Sequence, residues 1–132
     1  MLLTATLVLI AALLPIVAAG IAKSGAFRAK TNRYDNNEPR AWLESHPDPR
    51  RRRANAAQAN TFEALPFLFA ATLFALYGHA DLAVVNALLM AWVALRAVYL
   101  WLYVNDRASL RSTVWFLAVL VNVAVLFAPF YG

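Results

Sequence analysis

Residues 82–104 read LAVVNALLMAWVALRAVYLWLYV, a run of 23 positions in which Arg96 is the one charged side chain. An α-helix needs about 20 mostly apolar residues to cross roughly 30 Å of hydrocarbon, so this run is long enough to span a bilayer. Unpaired backbone groups are costly in lipid, and a spanning segment of this kind is therefore helical. The stretch predicts an integral membrane protein.

Three further stretches of the chain have the same character. Residues 1–22 and 112–132 carry no charge, and residues 54–78 carry only Glu63. Short turns join the last three stretches, whereas residues 23–53 form a long polar loop after the first. The sequence thus predicts an all-α integral membrane protein in which residues 1–132 form a single domain, an antiparallel bundle of four transmembrane helices.

The composition excludes several classes of function. Hydrophobic residues make up 62% of the chain and charged residues 14%, which is far from the composition of a soluble domain. The absence of cysteine excludes a disulfide framework, a thiolate zinc site and a cysteine nucleophile. The two histidines, His46 and His79, fall in segments at opposite ends of the bundle, so no metal site is expected.

The basic residues set the expected orientation. Nine of the 12 lysines and arginines lie between residues 23 and 53, and we interpret the net charge of +5 as topology, with no nucleic acid as partner. The positive-inside rule predicts that this loop lies in the cytoplasm and that both termini lie on the opposite side. We expect the membrane to be a bacterial inner membrane, so that the termini would be periplasmic. An alternative is that residues 1–22 are a cleaved signal peptide, but they lack a basic start and their apolar run is longer than a signal core.

Two ionisable residues lie inside predicted spans, where such residues usually mark a site or a buried pair. Glu63 lies about 15 Å beyond Arg53 along the second span, and Arg96 lies about 14 Å inside the third, counted from Asn105 at 1.5 Å per residue. Because their depths match on antiparallel neighbours, we expect Glu63 and Arg96 to form a buried ion pair.

Each of these charges belongs to a polar stripe on its helix. Arg53, Asn60 and Glu63 share one face of the second span. Arg96, Tyr99, Tyr103 and Arg107 share a face of the third. Together the stripes would line a polar cleft that opens toward the cytoplasm; alternatively, the charges only hold the bundle together and the tyrosines mark the lipid interface.

The signature residues resemble a known family. The segment NTFEALP at residues 60–66 is similar to the Asn-x-x-Glu-x-x-Pro motif of the membrane-associated proteins in eicosanoid and glutathione metabolism, the MAPEG family. Arg96 with Tyr103 seven residues later, followed by RASLRS at residues 107–112, is similar to the prostaglandin E synthase branch of that family. The resemblance covers most of the chain.

The resemblance implies a homotrimer of four-helix subunits that binds glutathione between neighbouring subunits near the cytoplasmic face. Carried over by position, the implied glutathione-binding residues are Asn60, Glu63, Arg96, Tyr103 and Ser112, with Arg53 and Tyr99 as further candidates. Arg111 would be the catalytic arginine that stabilises the thiolate. We also expect Ser109 to cap the fourth helix, which would place Arg111 and Ser112 in its first turn.

The chain departs from the family pattern at three positions. Ala56 and Ala59 stand where family enzymes often have basic residues, and Tyr99 stands where the prostaglandin branch has a histidine. Arg53, one turn before Ala56, is a candidate to compensate. These departures bear on whether the chain binds glutathione.

Two functions follow from the resemblance. The first is a glutathione transferase or peroxidase whose substrate is a lipophilic electrophile or hydroperoxide that arrives from the membrane lipid. The alternative is a non-catalytic protein of the same fold that binds a lipid or a protein partner. A proton-coupled exporter is disfavoured, because such exporters generally carry their essential glutamate in the first span and residues 1–22 are uncharged.

Overall fold

The computed structural model describes residues 1–131 of the chain. Four long helices form the bundle: α1 (Leu2–Lys23), α3 (Pro49–Tyr77), α4 (Leu82–Val104) and α5 (Ala108–Phe127). A short helix, α2 (Pro39–Ser45), lies between α1 and α3, and single 3₁₀ turns follow α1 and α5. Each long helix is long and apolar enough to span a membrane. The predicted all-α four-helix membrane fold is confirmed.

Two boundaries differ from the sequence prediction. The segment 23–53, predicted as a loop, contains α2, and its four consecutive arginines 50–53 lie in the first turns of α3. The reason is local, because the Asp48 side chain accepts a hydrogen bond from the Arg50 backbone N–H at 2.9 Å and Pro49 takes the first helical position. Helix α5 begins at Ala108, four residues before the predicted start, and Gly132 lies outside the described residues.

The helices pack around two separate groups of buried side chains. Helix α1 packs on α3 and α4, while α5 packs on α4 and α3. We call the end of the bundle nearest residues 24–48 the loop side and the opposite end the turn side. The loop-side core is small and consists of Ala18, Ala22, Leu43, Ala54, Ala57, Leu100 and Val104. The turn-side core is larger and is built from residues such as Leu68, Leu89, Trp92 and Val125.

Two arginines near the start of α3 hold the ends of its neighbours. Arg51 donates hydrogen bonds to the carbonyl oxygens of Ala22 and Ser24, at 2.9 and 2.6 Å, at the end of α1. Arg53 donates from Nε to the carbonyl oxygen of Val104 at 3.3 Å, at the end of α4. The last carbonyls of a helix lack partners within it and carry partial negative charge, so both contacts are favourable. We call Arg51 and Arg53 the two clamps.

The turn side is closed by a tight contact between chain segments. Gly78 follows α3, and a Cβ atom built on it would lie 2.7 Å from Cγ of Pro129 in the 3₁₀ turn after α5. No side chain fits in that space, so the glycine permits the close approach. On the same side, the Asp81 side chain caps α4 by accepting a hydrogen bond from the Ala83 backbone N–H at 2.8 Å.

Candidate functional site

A polar cavity of about 280 Å³ lies where α3, α4 and the first turns of α5 meet on the loop side. We call it the inner cavity. Its walls are Asn60 from α3, Tyr99 and Tyr103 from α4, and Arg111, Ser112 and Trp115 from α5. Five of these six residues were predicted for the site. The structure therefore brings together Asn60, Tyr99 and Tyr103 from the two predicted stripes and Arg111 and Ser112, which the family resemblance implied.

A second cavity, of about 440 Å³, adjoins the first toward the end of the bundle. We call it the outer cavity, and we call the two together the cleft. The cavities share Tyr103 and Arg111 in their walls, so they adjoin each other at these two side chains. The outer walls add Pro49, Arg52, Arg53, Ala56 and Asp106. The cleft thus has three arginines in its walls, and the inner cavity is the more polar of the two.

Four side chains form a stacked series beneath and beside the cleft. The guanidinium carbon of Arg96 lies 4.2 Å from the ring centre of Tyr99, which meets the ring of Tyr103 edge-on at 5.6 Å. The guanidinium carbon of Arg111 lies 4.2 Å from the ring centre of Tyr103. We call this series the arginine–tyrosine ladder. Because positions 96, 99 and 103 share one face of α4, the ladder extends from the buried arginine to the cleft.

Arg96 is the buried end of the ladder and lies beneath the cleft. It is only 1% exposed, and its Nη2 group donates hydrogen bonds to Oδ1 of Asn60 at 3.1 Å and to Oγ1 of Thr61 at 2.9 Å. Its guanidinium also lies 5.8 Å from the ring centre of Trp92. Arg96 therefore fixes the orientation of Asn60 and Tyr99 from behind and does not line either cavity.

The predicted ion pair between Glu63 and Arg96 is wrong. Within residues 1–131, no salt bridge joins them, and Glu63 is exposed on the outer face of α3. The physical reason is rotation about the helix axis. Thr61 faces α4, and Glu63, two positions further along α3, points about 200° away from it around the helix axis. Matching depth was insufficient, because depth does not say which face of a helix a residue occupies.

The remaining predicted residues divide between the cleft and its surroundings. Arg53 reaches the outer cavity, where its Nη1 lies 3.7 Å from Oδ2 of Asp106. Arg107, placed on the α4 stripe by the sequence, is exposed and precedes α5, and Arg111 occupies the place against Tyr103 instead. The predicted cap is also wrong, because Ser109 lies inside α5 and its carbonyl oxygen accepts a hydrogen bond from Thr113.

Sequence reasoning missed Pro49 and four further side chains of the site. Trp115 follows Arg111 by one helical turn, so the period of α5 could have identified it. Asp106 adopts a left-handed backbone conformation with φ of 60°, which aspartate tolerates in a short turn. Arg52 was hidden among four consecutive arginines. Thr61 gave no signal, since a threonine in a span commonly bonds its own helix, as its hydroxyl also does to Ala57.

Comparison with known families gives the identity of the fold. The sequence profile described as the MAPEG family matches residues 3–131, nearly the whole chain. The chain belongs to the MAPEG family. Proteins of this family are four-helix membrane bundles that act in glutathione and eicosanoid metabolism, and they generally use glutathione as substrate or cofactor. Neither the curated proteins nor the solved structures that were searched yield a match.

The three departures from the MAPEG pattern can now be placed in the structure. Ala56 lies in the wall of the outer cavity, beside Arg52 and Arg53, so cations are present around the missing basic residue. Ala59 lies on the exposed face of α3, away from the cleft. Tyr99 is the second member of the ladder, where its ring covers the guanidinium of Arg96. The MAPEG cleft of this chain thus has aromatic and arginine side chains where other family members have further basic residues or a histidine.

Proposed function

We propose that this MAPEG protein is a membrane-bound glutathione transferase or peroxidase that uses the cleft to bind and activate glutathione. The observation that carries the proposal is the position of Arg111, which lines both of the adjoining cavities of the cleft. Glutathione would supply a thiolate nucleophile there. The co-substrate would be a lipophilic electrophile or hydroperoxide.

The charges of the cleft complement those of glutathione. With its thiol ionised, glutathione carries two carboxylates, one thiolate and one ammonium group. The cleft has three arginines, Arg52, Arg53 and Arg111, and one acid, Asp106. An extended tripeptide spans about 10 Å. Asn60 lies seven residues beyond Arg53 on α3, which is also about 10 Å. The distribution of charge and the length of the cleft both support glutathione as the ligand.

Arg111 is suited to hold the thiolate. A free thiol has a pKa near ~8.5, so ionising it at neutral pH calls for a shift of ~2 units, roughly 2.7 kcal/mol. A nearby arginine lowers the pKa of a thiol in this way. The backbone N–H of Arg111 already donates to the carbonyl oxygen of Arg107 at 2.9 Å, so the guanidinium, held over Tyr103, is the group left to act. We therefore assign Arg111 as the catalytic residue.

The lipophilic substrate would enter from the membrane. Trp115 forms the deepest α5 wall of the inner cavity, and the side chains around it on α5 are large, apolar and exposed, including Phe116, Leu117 and Leu120. Such a surface faces hydrocarbon in a bilayer. An apolar molecule moving along it would meet the cleft at the level of Arg111, which supports reaction at the membrane interface.

We further propose that the chain forms a homotrimer in a bacterial inner membrane, with both termini periplasmic. Glu63 supports assembly, because an ionisable residue that faces lipid inside a span costs roughly 2.5–3.5 kcal/mol on insertion scales. Packing α3 against other copies would remove that cost. The mass of the detergent-solubilised complex tests the assembly. Reporters active only in the cytoplasm, fused at residue 40 and at the carboxyl terminus, test the orientation.

One observation favours the alternative, a non-catalytic MAPEG protein that binds a lipid or a protein partner. Arg53 is already engaged, since it bonds the end of α4 and pairs with Asp106. If Arg53 and Asp106 serve only to stabilise the fold, the cleft has fewer charges available to bind a tripeptide.

Thiol-dependent turnover distinguishes the two functions. The purified protein in detergent is assayed with glutathione and either a chloronitrobenzene or a lipid hydroperoxide. Asn60→Ala, which removes a positioning contact in the inner cavity, is expected chiefly to raise the KM for glutathione. If the unaltered protein shows no turnover and glutathione does not protect it from thermal unfolding, the proposal is wrong and the non-catalytic function is preferred.

A further inference from the structure

A short turn, residues 46–48, joins α2 to α3 on the loop side of the bundle. We call it the histidine turn. His46 directly follows α2 in an extended conformation, and Asp48 caps α3. The turn is closed by a hydrogen bond in which Nδ1 of His46 accepts from the backbone N–H of Asp48 at 3.0 Å. The proposed function so far gives His46 no role.

The closing hydrogen bond requires a neutral imidazole. A ring nitrogen accepts a hydrogen bond only while it carries no proton, so in the closed turn the ring proton of His46 is on Nε2. In the charged form both ring nitrogens are donors, and two N–H groups would then face each other. Histidine is the side chain whose charge ordinarily changes between pH 5 and 8. Protonation of His46 therefore removes the bond that closes the turn.

The histidine turn also holds an arginine of the cleft. Arg52 lies in the first turn of α3 and lines the outer cavity. Its Nη1 group donates hydrogen bonds to the carbonyl oxygen of His46 and, at 3.1 Å, to that of Pro47. Both carbonyl groups belong to the turn. The conformation of the turn thus determines where the guanidinium of Arg52 lies in the wall of the cavity.

The imidazole is the last member of a series of packed rings. The ring of Trp42 on α2 lies 4.6 Å from that of His46, and the ring of Tyr34 meets Trp42 edge-on at 5.2 Å. The ammonium of Lys23 lies 4.8 Å from the ring centre of Tyr34, at the far end of the series. These contacts hold the imidazole against α2, with Nδ1 facing the turn.

The charged groups next to His46 come from the turn and from α3. The carboxylate of Asp48 would attract an imidazolium, but it already lies 3.6 Å from Nε of the clamp residue Arg51. The guanidinium of Arg52, bonded to the carbonyl oxygen of His46, repels an imidazolium. A charged His46 would therefore be opposed by Arg52 and would compete with Arg51 for Asp48. Both effects favour opening of the turn.

We propose that His46 is a positioning residue of the cleft: as a neutral imidazole it closes the histidine turn and holds Arg52 in the wall of the outer cavity, and its protonation releases Arg52. This rests on the proposed function, because glutathione is the anion whose binding is affected. Affinity for that anion should fall with pH, since an unanchored arginine loses more conformational entropy when it binds a carboxylate.

Hydrogen exchange tests the turn without any ligand. Protection of the backbone amides in a peptide that covers residues 46–53 is measured by mass spectrometry, on the full chain in detergent. The measurement is made near the upper and the lower end of the pH range in which histidine changes its charge, and is corrected for the intrinsic exchange rate. In the unaltered protein we expect protection to be about tenfold lower at the lower pH, because a hydrogen bond is lost and two donors then face each other.

Two substitutions separate the acceptor from the charge. His46→Asn keeps an acceptor, since an asparagine oxygen bonds the N–H two residues later, and it does not titrate, so protection should be equal at both pH values. His46→Ala has no acceptor, and protection should be low at both. His79→Asn is the matched control, because His79 lies on the turn side with φ of 57°, which asparagine tolerates. It should keep the pH dependence of the unaltered protein.

Ligand affinity tests the link from the turn to the cleft. The probe is S-methylglutathione, which has no ionisable thiol, and its affinity is measured by calorimetry at the same two pH values. The unaltered protein and His79→Asn should bind it about threefold more weakly at the lower pH, the expected effect of ordering one long side chain. His46→Asn should show no such change. Arg52→Gln should also show none, because the side chain that the turn positions is then absent.

Three results would overturn the proposal. The first is protection that does not depend on pH in the unaltered protein. The second is a loss of protection at the lower pH that persists in His46→Asn, which would mean that another group titrates. The third is affinity that stays constant or rises at the lower pH while protection falls, which would mean that the turn does not position Arg52. Absence of binding at both pH values would contradict the proposed function, whereas the exchange measurements would still show whether His46 closes the turn.

Discussion

The loop-side and turn-side halves of the bundle are built from the same four helices but on different principles. The loop-side half contains both clamps, the ladder and the cleft, and its apolar core is small. The turn-side half is held by a larger apolar core and by a hydrogen bond from Oγ1 of the buried Thr4 to Oδ1 of the half-buried Asn86 at 2.8 Å. The polar side chains proposed for chemistry therefore lie in the loop-side half, and the larger apolar core lies in the turn-side half. Arg96 lies at the boundary between them.

The strongest test of this separation is removal of Arg111 from the loop-side half. We expect Arg111→Ala to lower glutathione turnover about 100-fold, equivalent to roughly 2.7 kcal/mol. The reason is that the guanidinium no longer offsets the charge on sulfur. The ultraviolet absorbance of bound thiolate should then titrate at higher pH.

Arg107→Ala is the control for Arg111, since Arg107 is an exposed arginine one turn earlier that lines neither cavity. Its turnover should stay within a factor of about two of the unaltered protein. If Arg111→Ala leaves both turnover and titration unchanged, the assignment of the catalytic residue fails.

Two threonines of α3 allow the halves to be compared directly. Thr61 and Thr72 are each 3% exposed, and each hydroxyl donates to the carbonyl oxygen four residues earlier at 2.7 Å. Only Thr61 also accepts from Arg96. We expect Thr61→Val to lower the free energy of unfolding by about 2 kcal/mol, because a buried charged donor loses its partner.

Thr72→Val should cost less than about 1 kcal/mol, because its hydroxyl serves only its own helix. Thermal unfolding of both variants in the same detergent measures the difference. Equal losses of unfolding free energy in the two variants would mean that the hydrogen bond between Arg96 and Thr61 does not stabilise the fold. The proposed difference between the two halves would then be wrong.

Removing a clamp is expected to cause a smaller loss of stability. We expect Arg51→Gln to lower the free energy of unfolding by about 1 to 2 kcal/mol, because two hydrogen bonds from a charged group to the end of α1 are lost in a partly exposed setting. Arg50→Gln is the matched control, since it removes a neighbouring exposed arginine that holds no helix end, and it should change stability by about 0.5 kcal/mol or less. Similar losses for the two variants would show that charge near the helix start matters and the clamp does not.

The smallest effect is expected in the turn-side half. Asn122 is 3% exposed, and its Oδ1 atom accepts no hydrogen bond within residues 1–131. Replacing a buried polar group that lacks a partner with an apolar one of similar shape is close to neutral. We therefore expect Asn122→Leu to change the free energy of unfolding by less than about 1 kcal/mol, measured by the same thermal method. A loss above about 2 kcal/mol would mean that Asn122 has a polar partner outside the chain.

The sequence predicted the spans more reliably than the contacts between them. Apolar length and charge placement identified all four long helices, because the bilayer imposes those requirements on any spanning segment. Asn60, Tyr99, Tyr103, Arg111 and Ser112 were also predicted together, from stripes on single helices and from the family signature. What the sequence could not supply was the rotation of α3 against α4, which is set by packing and decides that Thr61, and not Glu63, meets Arg96.

The closure of the cleft at Arg96 has a consequence for the permeability of the membrane. The cleft reaches Tyr99, about 9 Å below Asn105 at the end of α4, and shortens the hydrocarbon barrier on that side. Beneath it, the buried guanidinium of Arg96 lies against the rings of Tyr99 and Trp92. A fixed positive charge at a constriction repels protons and other cations. We therefore expect the arginine that orients the site also to oppose the passage of cations, so that a polar cleft can extend into the bundle without becoming a path for ion leakage.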